Sequence, residues 1–298
     1  MKKQWRGIFA ILAATILWGT TFVAQSVGME HIGPFTFQAI RSAMGALFLI
    51  PVVWFFDRIR NDAGSFWKNW TDPVLWKAAL PCGTCLFVAA GLQQMGIVDV
   101  DAGKSAFLTA MYIVFVPLIG IFRKKKLSKW IPLSVVLCVA GLYFLSCMGV
   151  TAIGLSDLLL IGCAVAYAIH ISCIDIFVDK VDPIRLNCLS CALCSVYSTI
   201  VMFLTETPSA EAIQNCWGSL LYAGILSMGI AYTLQIIGQK HIEASAASLL
   251  MSLESVIAVL AGWIVLGDVL SIGESIGCVL IFAAIILSQL PEKVKKNT

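Results

Sequence analysis

Residues 14–34, ATILWGTTFVAQSVGMEHIGP, form an apolar stretch that returns in related form 149 positions later. Residues 163–183, CAVAYAIHISCIDIFVDKVDP, align with it without a gap, which pairs Trp18 with Tyr167 and brings the final prolines into register. Each stretch is an apolar run that ends in polar residues and a proline. The match predicts two related halves, each of which begins with the same kind of membrane helix.

The composition of the chain is typical of the membrane class. Of the 298 residues, 59% are hydrophobic and 12% are charged, and the charged share is about half that of an ordinary soluble domain. The mean hydropathy of +0.91 is more than a water-exposed surface carries. The net charge of +3 reflects the uneven distribution of lysine and arginine along the chain, which is described below. It does not indicate a nucleic-acid partner.

Ten apolar runs follow one another along the chain. A membrane helix needs roughly 20 mostly apolar residues to cross about 30 Å of hydrocarbon. Such runs, numbered as spans 1 to 10, lie near residues 7–27, 34–56, 74–96, 104–122, 129–148, 154–178, 183–204, 213–238, 244–266 and 271–290. The short alternating segments of a membrane barrel are not recognisable. The sequence therefore predicts an all-α integral membrane protein with ten transmembrane helices.

A second internal match relates the later spans of the two halves. Residues 101–120 align with residues 243–262, 142 positions later, and this places Tyr112 over Glu254. Five spans per half is an odd number, so equivalent helices run in opposite directions. The sequence predicts two inverted five-helix repeats, an architecture in which secondary transporters bind substrate near the bilayer midplane.

The positive charges predict the orientation. With the N-terminus inside, every lysine and arginine except Arg41 and Lys104 falls on the cytoplasmic side, as the positive-inside rule requires. The repeats, residues 1–148 and 149–298, then form one polytopic membrane domain with both termini in the cytoplasm. We expect a multi-pass protein of the plasma (inner) membrane.

Four segments resemble the EamA family of the drug/metabolite transporter superfamily. They are LWGTTFVAQ in span 1, GPFTFQAIRSAMGAL in span 2, AGKSAFLTAMYIVFVPLIG in span 4 and SLLMSLESVIAVLAGWIVLGD in span 9. The resemblance covers essentially the whole chain and implies a ten-helix carrier of amino acids, other metabolites, drugs or sugars. This chain has Ser255 where the family often has a proline, so the sequence does not support the bend that a proline would give span 9.

Two charged side chains fall inside predicted spans. Glu254 lies roughly 15 Å from either end of span 9, where a carboxylate must find a donor, face water or stay protonated. Arg41 lies at a similar depth in span 2. We predict that both bind substrate, with a carboxylate or phosphate as the partner of Arg41. The alternatives are a structural hydrogen bond for Glu254, and a permanent ion pair with Glu254 or a helix cap for Arg41.

Three aromatic residues complete the predicted cavity. Trp18 is the one tryptophan near mid-membrane, and its indole N–H needs a partner there. Its repeat counterpart is Tyr167, and Tyr112 is the counterpart of Glu254. We therefore predict that Trp18, Tyr112, Tyr167 and Glu254 form the cavity walls, with packing against a neighbouring helix as the alternative for Trp18.

Four polar residues are candidates for a gate or for coupling. Lys104 begins span 4 beside Asp99 and Asp101, and we expect it to reach the outer interface and pair locally; an outer gate is the alternative. His170 could titrate in span 6, although a lone helix histidine is more often hydrogen-bonded. Gln25 and Gln94 belong to a glutamine group near the outer ends of spans 1 to 3, which would form a polar vestibule.

The cysteines and small residues favour packing over chemistry. The 11 cysteines lie mostly inside apolar helices, where they act as small packing residues, so we expect no metal site, cofactor or disulfide. Gly273 and Gly277 are four residues apart and predict a close helix contact. That contact lies either inside the protein or across a homodimer.

Function is predicted from these features together. We expect a secondary transporter that works by alternating access and exports amino acids or related metabolites and drugs. A proton, bound by Glu254, or an exchanged solute would drive it. The alternative is a membrane protein without transport activity, either a lipid-modifying enzyme or a receptor. Clustered acid, histidine or nucleophile motifs would mark such an enzyme, and short basic inner loops do not suit a receptor.

Overall fold

A computed structural model describes residues 2–59, 69–100, 102–146, 154–266 and 271–290, which form helices and short connections. The helices are α1 (Lys2–Met29), α2 (Pro34–Ile59), α3 (Pro73–Ile97), α4 (Ala102–Ala110), α5 (Tyr112–Phe122), α6 (Ile131–Ser146), α7 (Leu155–Phe177), α8 (Pro183–Thr205), α9 (Ala210–Asn215), α10 (Trp217–Leu221), α11 (Tyr232–Gln239), α12 (Ala244–Met251), α13 (Leu253–Leu266) and α14 (Ile272–Ser288). A π-helical segment, Tyr222–Ala231, joins α10 to α11. The prediction of an all-helical membrane protein is confirmed.

Helix length separates the predicted spans into two groups. Within the described residues, seven helical stretches are long and apolar enough to cross a membrane, and they cover spans 1 to 4 and 6 to 8. Shorter apolar helices cover spans 5, 9 and 10. Ten crossings, inverted halves and cytoplasmic termini stay predictions. The boundary between residues 148 and 149 lies outside the described residues, as do residues 291–298.

The starts of α3 and α8 follow from the same local sequence. Each begins with a proline, which lacks the N–H that a first helical turn leaves unpaired. Asp72 and Asp182 precede these prolines and cap the helices through their carboxylates. Asp182 accepts hydrogen bonds at 3.0 Å from the backbone N–H groups of Ile184 and Arg185.

Helices α2 and α8 hold each other at both ends. Asp57, near the end of α2, forms a buried ion pair of 2.5 Å with Arg185 in the first turn of α8. Glu206, just past α8, accepts 2.8 Å hydrogen bonds from the backbone N–H groups of Phe35 and Thr36 at the start of α2. Asp57 and Glu206 are 149 positions apart, as are Thr36 and Arg185. The two contacts therefore occupy matching places in the halves and join α2 to α8 antiparallel.

Replacing Asp57 with alanine is expected to destabilise the protein by about 3–5 kcal/mol, because it leaves the buried Arg185 guanidinium without its anion. Thermal unfolding of the purified protein in detergent measures the loss. Removing both partners in Asp57→Ala/Arg185→Ala should restore part of it. Asp72→Ala, which removes a carboxylate from an exposed helix cap, is the control and should cost only about 1 kcal/mol. Equal losses of stability in Asp57→Ala and Asp72→Ala would contradict the view that the buried ion pair of Asp57 with Arg185 stabilises the protein.

Spans 4 and 9 are interrupted at nearly matching places. Span 4 breaks at Met111, between α4 and α5, and span 9 breaks at Ser252, between α12 and α13. The Ser252 hydroxyl donates a 2.7 Å hydrogen bond to the Leu249 carbonyl, a pattern that bends helices. Span 9 is thus broken without a proline, although the sequence alone did not support a bend there. Interrupted helices in corresponding positions of two halves point to a transporter binding site.

Gly277, the second glycine of the motif in span 10, packs inside the protein. A Cβ on Gly141 of α6 would lie 2.8 Å from the carbonyl oxygen of Gly277 on α14. No side chain fits between these backbones, so a glycine is needed for α6 and α14 to approach this closely. The contact predicted at Gly277 is therefore internal, and the homodimer stays a prediction.

Candidate functional site

A cavity lies among helices of both halves, and the space outside protein atoms in it and at its mouth, open solvent included, is about 470 Å³. Its lining divides evenly between the parts of the chain before residue 147 and after residue 153. The first part contributes Trp18, Phe22, Gln25, Arg41, Gln93, Thr109 and Tyr112. The second part contributes Tyr167, Ile171, Ser227, Tyr232, Gln235, Met251 and Glu254. All five residues predicted to bind substrate lie on this wall, and their role in binding stays a prediction.

Most of the lining residues are related in pairs by the two internal alignments, with one member of each pair in each half. The offset of 149 positions relates Trp18 to Tyr167 and Phe22 to Ile171, and the offset of 142 relates three further pairs: Gln93 with Gln235, Thr109 with Met251, and Tyr112 with Glu254. Gln25, Arg41, Ser227 and Tyr232 have no counterpart on the wall. Arg41 is the charged member of this unmatched group, so the electrostatics of the cavity are asymmetric although its outline is paired.

Glu254 is placed by the break in span 9. It lies in the first turn of α13, where the N-terminal end of a helix favours negative charge, and it is 5% exposed. The Tyr112 hydroxyl, at the corresponding break in span 4, donates a 2.9 Å hydrogen bond to its Oε1. A Cβ on Gly19 of α1 would lie 2.8 Å from the Glu254 carbonyl oxygen. Helix α1 therefore packs directly against the backbone that carries this carboxyl.

Arg41 lies on the same wall and is 2% exposed. Its Nε and Nη2 donate to Oε1 of Gln38 at 2.8 and 2.5 Å, and its Cζ lies 5.5 Å from the centre of the Phe37 ring. Among the residues that the structure describes, no carboxylate lies within 4 Å of the guanidinium. The ion pair with Glu254 that the sequence allowed is therefore not formed.

Polar side chains continue along the wall as a hydrogen-bonded series. The hydroxyls of Tyr167 and Tyr232 lie 3.0 Å apart, and Tyr167 also donates to Oε1 of Gln93 at 3.4 Å. The same oxygen accepts from Nε2 of Gln25 at 3.2 Å. The Trp18 ring packs edge-on against Tyr232 with 5.0 Å between centroids. The series links the halves through side chains that can exchange partners.

Two polar atoms on the wall lack partners. Within the described residues, the buried Nε1 of Trp18 and Oε1 of Gln235 have no hydrogen bond. Buried polar groups are nearly always paired, and an unpaired one calls for an explanation. Here one donor and one acceptor line the same cavity. Both atoms are therefore candidate contacts for polar groups of a ligand.

Lys104 has a more distant partner than the sequence suggested. It forms a 2.7 Å ion pair with Asp157 in the first turn of α7. Asp99 instead accepts a 3.0 Å hydrogen bond from Ser156, and Asp101 lies outside the described residues. Among the described residues, Lys104 therefore joins the start of α4 to the start of α7 and does not pair with Asp99, and its role as a gate stays a prediction.

The other coupling candidates lie behind the wall or beside it. His170 is 2% exposed, and its Nδ1 has no partner within the described residues. Its ring contacts Tyr167 and Tyr232 with centroid distances of 6.5 and 5.9 Å. Gln25 lies on the wall and donates to Gln94, 2.9 Å away and behind it. Their roles in coupling stay predictions.

Sequence reasoning missed several wall residues for different reasons. Gln235 is related to Gln93 by the offset of 142, so extending that alignment would have found it. Ser227 and Tyr232 are brought to the cavity by the π-helical segment, which shifts the side chains after it relative to an α-helix. Asn187 of α8 supports that segment by donating to the carbonyls of Met228 and Gly229 at 2.8 and 3.1 Å.

Comparisons with known proteins give one consistent result. The model of the EamA-like transporter family matches residues 5–147 and 154–290. An uncharacterized transporter of Archaeoglobus fulgidus is 25% identical over 97% of this chain and 87% of its own length. The uncharacterized transporters YoaV and YwfM of Bacillus subtilis are 26% and 27% identical, over 94% and 99% of this chain and 96% and 97% of theirs. One solved crystal structure has a TM-score of 0.76 at 19% identity, over 95% of this chain and 96% of that chain, which shows a shared fold.

Proposed function

Because this chain belongs to the EamA-like transporter family, we propose that it is a secondary transporter that exports amino acids or related small metabolites by alternating access. The family and the named relatives make it a membrane transporter with no enzymatic role, which confirms that part of the prediction and removes the lipid-modifying enzyme. The substrate, the direction and the mechanism are the parts that the proposal adds.

The observation that carries the proposal is a buried arginine and a buried glutamate on one cavity without an ion pair between them. Arg41 presents a permanently charged guanidinium suited to a carboxylate, and Glu254 presents a carboxyl suited to an ammonium. An amino acid carries both complementary groups. The aromatic rings of Trp18, Tyr112 and Tyr167 suit the apolar parts of such a ligand, as in most small-molecule sites.

Glu254 is the group that we assign to coupling. In the empty site its carboxyl is held by Tyr112 and takes up a proton, because an unpaired charge at this depth is costly. The arriving substrate ammonium replaces that proton. A proton and an amino acid then use the same carboxyl at different stages, and the protein exchanges one for the other across the membrane.

The transport cycle requires two halves that rock about the cavity. Support comes from the two segments matched by the family model, the paired lining residues and the matching contacts of Asp57 and Glu206 with the opposite helix starts. We propose that residues 1–148 and 149–298 are inverted repeats. From the ten spans and the distribution of lysine and arginine, we also infer that both termini face the cytoplasm. The proposed location is the plasma membrane.

Transport by purified protein in sealed liposomes tests the proposal. Vesicles loaded with each of the twenty common amino acids are diluted into the same labelled amino acid, and counterflow is measured against protein-free vesicles. We expect at least one amino acid to accumulate and its carboxamide, which lacks the carboxylate, to be carried poorly. Absence of flux for all twenty would contradict the proposed substrate class, and absence of flux for every solute tried would contradict transport.

A further inference from the structure

Gln38 lies behind Arg41 on α2 and is fully buried. Its Oε1 accepts both Nε and Nη2 of the guanidinium, whereas Gln38 itself is not on the cavity wall. A guanidinium has five N–H donors, so this single contact fixes its plane and leaves the other donors for a ligand. Arg41 is thus aligned by a group that the substrate does not touch.

The amide of Gln38 is itself held in one orientation. Its Nε2 lies 3.0 Å from the Sγ of Cys194 on α8 and 3.5 Å from the hydroxyl of Ser42. The oxygen therefore faces Arg41, and the nitrogen faces α8. This arrangement connects the position of the guanidinium to the pairing of α2 with α8.

The neutrality of Gln38 has an electrostatic consequence. A carboxylate at the same place would accept the same two N–H groups of Arg41 as charge-assisted hydrogen bonds, which are stronger than those to a neutral amide, and would neutralise the guanidinium. The amide aligns the guanidinium equally well but leaves its charge uncompensated, since no described carboxylate lies within 4 Å. The charge in the cavity is then balanced by the ligand.

We propose that Gln38 is a positioning residue that sets the specificity of the cavity for a carboxylate-bearing ligand. It aligns Arg41 with the ligand carboxylate and, because it is neutral, keeps the guanidinium available. This inference rests on the proposed transport function and adds to it the residue that makes the carboxylate a requirement.

Gln38→Glu tests the electrostatic part. In proteoliposomes, the KM of the best-transported amino acid should rise roughly tenfold or more, whereas transport of its carboxamide should change little. Gln214→Glu is the matched control, since it makes the same amide-to-acid change on α9, where Gln214 is exposed and does not line the cavity. It should leave the preference for the carboxylate unchanged.

Gln38→Leu tests the positioning part through a spectroscopic readout. The Nε–H resonance of Arg41, assigned by its loss in Arg41→Lys, is recorded by NMR in lipid nanodiscs without ligand. We expect Gln38→Leu to shift this resonance and speed its exchange with water, while Gln214→Glu leaves it in place. The measurement does not depend on which solute is carried.

The outcomes separate this inference from the proposed function. An unchanged Arg41 resonance in Gln38→Leu overturns the positioning role, whatever the transport data show. An equal loss of carboxylate preference in Gln38→Glu and Gln214→Glu overturns the specificity role. If the unmodified protein carries no amino acid, the proposed substrate class and the specificity role both fail, and the resonance then reports on positioning alone.

Discussion

Glu254→Gln is expected to abolish transport driven by a pH gradient while the protein still folds and inserts. The amide has nearly the same shape as the carboxyl and can still accept the hydrogen bond that Tyr112 donates at 2.9 Å. It can neither take up a proton nor pair with a substrate ammonium. Removing one side of a buried charged contact costs about 2–5 kcal/mol, so the rate should fall at least roughly thirtyfold.

The measurement is uptake of the best amino acid into proteoliposomes as a function of inner and outer pH. Tyr112→Phe is the control, because it removes the hydrogen bond to Glu254 and keeps the carboxyl. It should alter the rate while leaving a dependence on the pH gradient. The assignment is wrong if Glu254→Gln retains full transport that still responds to the gradient. Unchanged thermal unfolding of the purified variant separates lost coupling from lost folding.

The walls of the cavity were predictable because two alignments of the chain with itself identify related positions. Trp18 was paired with Tyr167, and Tyr112 with Glu254, from sequence offsets alone, and all four side chains line one cavity. Depth in a membrane helix can be counted from its ends, so side chains of similar depth in related helices were expected to meet. The breaks beside Tyr112 and Glu254 required the structure, since Ser252 carries no strong breaker signal.

The hydrogen-bond partners of the polar side chains were much less predictable than the depth of these side chains in the membrane. Lys104 has a partner that its sequence neighbours did not suggest, Asp157, because the start of α7 lies beside the start of α4. Arg41 could reach Glu254 by depth but binds Gln38 on its own helix. Depth fixes which groups lie at one level, whereas the rotation of each helix about its axis decides which of them face each other.

Arg41→Ala is expected to eliminate transport of amino acids, with a loss of roughly a hundredfold or more in kcat/KM if the guanidinium pairs with the substrate carboxylate in the buried cavity. The Gln38 oxygen would lose both of its donors, so a modest fall in stability is also expected. Arg41→Lys keeps the charge and loses the planar fork that binds a carboxylate through two hydrogen bonds. It should restore part of the transport but not the full preference for amino acid over carboxamide.

The control for Arg41 is Arg58→Ala on the same helix. Arg58 is exposed at the end of α2, and its Cζ lies 4.5 Å from the Trp54 ring, away from the cavity. Its removal should change neither the transport rate nor the preference for a carboxylate. If Arg41→Ala carries amino acid and carboxamide in the unmodified ratio, Arg41 does not bind the carboxylate. If it is transport-dead but still binds the amino acid with unchanged affinity, Arg41 acts in the conformational cycle and the cation that holds the substrate must be sought elsewhere.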